Sequence, residues 1–82
     1  MLAEKVKEPI KVLAVFDKGS VRPVSFEWRN QKFSDFKIGS SWVGSEGSSR
    51  VLFFAILFDG DAYEICFRVR RMTWHLTRII SL

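Results

Sequence analysis

The chain has 82 residues, 48% hydrophobic and 15% aromatic, enough for one small core and not for two. A single cysteine, Cys66, excludes an internal disulfide and a cysteine-built metal site. The formal charge is +4, and its excess falls in the last eighteen residues, where Arg68, Arg70, Arg71 and Arg78 meet no acidic residue.

Residues 1–9 alternate charges and lack the apolar stretch of a signal peptide, so they are expected as a flexible lead-in to a single β domain over residues 10–82. The longest apolar run, Val51 to Phe58, is far below the roughly 20 residues of a membrane helix. A soluble, cytoplasmic protein with no membrane contact is the expectation.

Ile10 to Asp17 reads as a strand, with Val12, Ala14 and Phe16 on one face and Leu13 and Val15 on the other. It ends at Asp17-Lys18-Gly19-Ser20, a turn composition. Val21 to Arg29 alternates, placing Val24, Phe26 and Trp28 together and Ser25, Glu27 and Arg29 opposite. Pro23 donates no backbone hydrogen bond and belongs at a strand start or an edge. Asn30-Gln31 suits a tight reversal into Lys32–Ile38, where Phe33 and Phe36 stand three apart. A bulge near Ser34-Asp35 would restore alternation there, and a helical turn is the rival reading.

Gly39 to Ser49 holds five serines and three glycines and is expected as an exposed, mobile loop pinned by Trp42. Arg50 to Val69 is the organising unit: two apolar runs flank Asp59-Gly60, the strongest local signal for a hairpin. A turn at Asp59-Gly60 sets Ile56 opposite Tyr63, Phe54 opposite Ile65 and Leu52 opposite Phe67. A turn at Gly60-Asp61 shifts the pairing by two and keeps the faces, and only a three-residue loop exchanges them. One face is then wholly apolar and the hairpin must be central. Arg70-Arg71-Met72 connects to Thr73–Ser81, with Trp74 and Leu76 on one face and Thr73, His75 and Thr77 on the other. The fold expected is all-β, a small antiparallel meander of five to six strands closing into a twisted barrel or roll, with no substantial helix. A single open sheet that covers its second face by dimerising is the alternative.

Enzyme signatures are absent, and the chain is read as non-catalytic, with no cofactor and no metal. His75 is the only histidine and faces away from Trp74 and Leu76, as a rim imidazole. Cys66 sits within a strand as a small core residue, with no base near it in sequence. Asp59 and Asp61 are explained by the turn, and Gly44–Ser49 has no lysine after its last glycine to hold a phosphate. What remains is a binding surface built from Arg70, Arg71, Arg78, Trp74, Trp42 and Arg29. Two readings stay open. In the first the chain is an interaction module that contacts a protein partner or a second copy of itself through exposed aromatic surface. In the second, single-stranded nucleic acid stacks on tryptophan while the C-terminal arginines follow its backbone.

The ordered series Arg22-Pro23, Phe26-x-Trp28, Phe33, Ile38, Trp42, the Asp59-Gly60 hairpin with Tyr63-x-Ile65, and Trp74-x-Leu76 resembles a small uncharacterised bacterial β domain associated with Y-family (translesion) DNA polymerases. The resemblance spans about residues 10 to 80. It implies an accessory module in DNA-damage tolerance and brings no catalytic residue with it.

Overall fold

Four two-residue turns set the architecture of the computed structural model, which describes residues 2–82. Lys18-Gly19, Arg29-Asn30 and Asp59-Gly60 all hold positive φ at both positions, the left-handed pair that a tight hairpin requires. Gly47-Ser48 has positive φ at its glycine only, as a II′ turn does. Among the described residues there are eight strands, of which these turns join β2 to β3 to β4 and β5 to β6 to β7: β1 (Leu2–Pro9), β2 (Lys11–Asp17), β3 (Ser20–Trp28), β4 (Gln31–Phe33), β5 (Lys37–Glu46), β6 (Ser49–Phe58), β7 (Asp61–Arg68) and β8 (Thr73–Ser81). They form two antiparallel sheets, one of five strands ordered β1-β8-β7-β6-β5 and one of three ordered β2-β3-β4. No barrel closes. Among the described residues there is no helix, hence none long and apolar enough to cross a membrane.

The central hairpin pairs as expected, with Ile56 against Tyr63, Phe54 against Ile65 and Leu52 against Phe67. Its apolar face meets the three-stranded sheet. Phe54, Ile56, Ile65 and Leu76 from one layer pack with Phe26 and Phe33 from the other in a single buried cluster. The Phe26 and Phe33 rings stack at 4.5 Å. Fully burying each such side chain contributes about 1.5–3 kcal/mol.

The strand count rises to eight for two reasons. The expected lead-in is strand β1, which pairs along β8 from Leu2↔Ser81 to Pro9↔His75; the Met1 end of that expectation lies outside the described residues. The expected loop 39–49 is mostly strand β5, paired along β6, and only Gly47-Ser48 turns. Gly and Ser tolerate that position because β5 is an edge strand, flanked on one side only.

Sheet switching accounts for the irregular spacings. The chain passes between layers at Ile10, whose N–H donates to the Trp74 carbonyl at 3.2 Å, and again at Ser34–Phe36. The segment read as one strand over Lys32–Ile38 is therefore β4 in one sheet and β5 in the other, and Asp35 takes φ 55° between them. The reversal expected at Asn30-Gln31 falls one residue earlier, with Trp28 paired to Gln31. In β3 a register shift opposite Leu13 and Ala14 leaves Val24 unpaired and exposed, so it does not share the inward face of Phe26 and Trp28. Pro23 lies beside that bulge, where a missing N–H is tolerated.

Candidate functional site

Alternation along β6 and β7 turns every second side chain away from the core, onto the outer face of the five-stranded sheet. Cross-strand pairing sets Trp42, Phe53, Cys66 and His75 in one row there, and Gly44, Val51, Arg68 and Thr73 in the next. At that end of the face lies a trough of about 790 Å³ whose charged walls are Lys7, Glu46, Arg68, Arg70 and Arg71, with His75 at its floor. Four basic side chains against one carboxylate leave an excess of three positive charges.

Each element brings its charge for a local reason. A bulge between Lys5 and Glu8 puts Lys7 at φ 57°, re-aiming its side chain across β8. The turn Val69–Met72 closes with the Met72 N–H donating to the Arg68 carbonyl at 2.8 Å, which presents Arg70 and Arg71 at the rim. Arg68 is the anchor. Its Nε and Nη2 donate to Glu46 Oε1 at 2.6 Å and Oε2 at 3.2 Å, and its Nη1 donates to His75 Nδ1 at 2.6 Å.

This network sets the protonation states. Hydrogen bonds from Arg68 hold the Glu46 carboxyl below its ordinary range, and Glu46 in turn raises the Arg68 guanidinium. Burial, then the Arg68 charge, pushes His75 below its ordinary value of 6.5. Because Nδ1 accepts from Arg68, the neutral ring carries its proton on Nε2. Burial pushes the Cys66 thiol up, which leaves it a protonated small side chain beneath the network.

Next to the trough, Trp42 stacks on Phe53 at 5.4 Å with an interplanar angle of 7°, and Trp42 is 42% exposed. This pair is an aromatic platform on the same face as the cations. Lys7, Arg70 and Arg71 form no ion pair among the described residues.

Of the residues read from the sequence as a surface, the structure brings together Arg70, Arg71 and, one row away, Trp42. The other three lie elsewhere. Arg78 is paired with Glu64 at 2.9 Å, further along the outer face. Trp74 points inward, against Phe67 at 4.8 Å and Phe54 at 5.9 Å, so it is no platform for a base. Arg29 is tied to Glu8 at 2.6 Å and lies 4.6 Å over the Trp28 ring. Lys7, Glu46 and the anchoring part of Arg68 are not legible in the sequence, because only the pairing of β1 with β8 and of β5 with β6 brings them there. No group of three or more metal-ligating His, Cys, Asp or Glu side chains gathers among the described residues. No known protein family, curated protein or solved structure matches the chain.

Proposed function

We propose that this protein is a non-catalytic module that binds single-stranded nucleic acid on the outer face of its five-stranded sheet. The observation that carries this reading is the trough itself, where Lys7, Arg68, Arg70 and Arg71 stand against the single carboxylate of Glu46, and where Lys7, Arg70 and Arg71 form no ion pair among the described residues. Phosphates take up such charge, and guanidinium forks suit their geometry. The Trp42–Phe53 platform supplies a π-face for a base, a contact tolerant of sequence. A non-catalytic role is supported by the two reactive side chains nearby. His75 already accepts from Arg68, and Cys66 is buried with its thiol pushed up.

A DNA-repair setting for this module is proposed on the sequence resemblance to domains associated with Y-family polymerases alone. That resemblance rests mainly on residues of the shared core, such as Phe26, Phe33, Ile65 and Leu76, which speak to fold more than to the trough.

The test is a salt titration with a labelled single-stranded oligonucleotide. Affinity falls steeply between about 50 and 200 mM salt if a few phosphates are neutralised. Arg70→Ala with Arg71→Ala reduces the log–log slope by about 0.7 for each phosphate no longer neutralised. Trp42→Ala weakens binding by about 1–3 kcal/mol and leaves the slope unchanged. Absence of binding at low salt overturns the proposal.

A further inference from the structure

Strand edges expose unpaired N–H and C=O groups, and proteins guard them with charge, proline, bulges or brevity. Among the described residues the two sheets leave four edges: β1, β5, β2 and β4. β1 carries Lys5, Lys7, Pro9 and a bulge, and β4 is three residues long. β5 is half glycine and serine, poor material for pairing, and carries a bulge between Ile38 and Ser40. β2 is different. Between its end charges it runs Val12-Leu13-Ala14-Val15-Phe16, with no charge, proline or bulge of its own, and β3 is its only neighbour. Two of its large side chains stand in water, Leu13 at 65% and Val15 at 42% exposure, and Phe16 is 55% exposed with its ring edge-on to Phe67 at 5.6 Å.

We propose that β2 is the contact of a reversible homodimer, two copies laying these edges together antiparallel about a two-fold axis at Ala14. The strand is complementary to itself. Pairing Ala14 with its counterpart sets Leu13 opposite the partner's Val15 and Lys11 opposite the partner's Asp17, each contact occurring twice by symmetry. All four of these positions are odd-numbered in a regular strand, so they share one face. The exposed leucines and valines then form one cluster flanked by two ion pairs. On the other face Phe16 meets the partner's Val12. Neither Lys11 nor Asp17 has an ion-pair partner within the chain among the described residues. This self-complementarity of charge is what selects a second copy over an unrelated extended peptide. One strand per copy contributes less than the ~1,200–2,000 Å² of a stable interface, so the association is concentration-dependent. It also leaves the basic trough free, because β2 belongs to the other sheet.

Sedimentation of the full chain over a range of concentrations tests this without reference to nucleic acid. The expected result is a rise of the average mass toward twice the monomer value. L13K with V15K places four lysines around the axis and abolishes that rise. K11D alone weakens it by setting aspartate against aspartate, and K11D with D17K restores it, with the circular dichroism spectrum unchanged throughout. A monomeric wild type at millimolar concentration overturns the proposal. So does an extended peptide of foreign sequence seated on β2 with no self-association, and so does self-association that L13K with V15K leaves intact.

Discussion

The Phe53 ring fills the space above Gly44, so that a Cβ on Gly44 would lie 2.8 Å from the ring. The same ring stacks on Trp42. Gly44→Ala therefore displaces Phe53 and breaks the stack. Overpacking of this kind costs about 1–3 kcal/mol. The expected outcome is a shift in tryptophan emission, a lower urea midpoint and weaker oligonucleotide binding with an unaltered salt slope. An unchanged emission spectrum would show that the ring has room to move.

Glu46 is the carboxylate that offsets the trough's positive charge. Glu46→Gln removes it and releases the Arg68 guanidinium from its bidentate hold. Oligonucleotide binding is expected to tighten, with the salt slope steeper by about 0.7 if Arg68 gains a phosphate. The pair is open to solvent and screened, so the urea midpoint should barely move. Tight binding by the Glu46→Gln protein together with weak binding by the Arg70→Ala, Arg71→Ala protein would place the ligand in one trough.

Acidification should destabilise the fold in two stages. His75 has a folded-state value below its ordinary 6.5, so the unfolded chain binds its proton more readily. Stability from this group is present above about 6.5 and is lost as pH falls toward the depressed value. Glu8, lowered from 4.5 by hydrogen bonds from Arg29 and then Trp28, adds a second loss as pH falls below that value, whereas Glu46, lowered in the same direction, is exposed and screened and adds little. Urea midpoints measured against pH should show both stages. His75→Asn should remove the first and keep the second.

Trp28 Nε1 donates to Glu8 Oε1 at 2.8 Å, joining β3 of one sheet to β1 of the other. Trp28→Phe keeps a ring in the core and removes the donor. Hydrogen bonds to an ionised acceptor are roughly twice as strong as neutral ones, so this tie between the sheets matters to β1. The expected effect is faster amide exchange confined to Leu2–Pro9, with the β6–β7 hairpin still protected. Uniform acceleration across both sheets would show that the bond supports the whole fold.

Legibility in the sequence followed the range of the interaction. The existence of the central hairpin and the side chains on each of its faces were readable, since a left-handed turn and the alternation around it are local, while the choice of Asp59-Gly60 over Gly60-Asp61 came from the structure. Arg70 and Arg71 were readable as an unbalanced charge. The strand over Leu2–Pro9 was not, because its amphipathic pattern is weak and its partner lies at the other end of the sequence. The strand in Gly39–Glu46 was hidden by composition, since an edge position accepts serine and glycine that suggest a loop. Bulges misled the face assignment, as at Val24, because one extra residue reverses every side chain beyond it. Trp74 illustrates a further limit. A tryptophan in an alternating strand announces a face without saying which face is covered.

The pairing of Leu2 with Ser81 bears on how the molecule assembles. The four tight turns can close early, each joining neighbours in the chain, whereas β1 has nothing to zip against until β8 is in place. Closing so wide a loop is the slowest kind of ordering. Of the two, β1 is synthesised well before β8, so it is seated only once β8 has been made, and until then β8 offers a bare flank to any other nascent chain nearby.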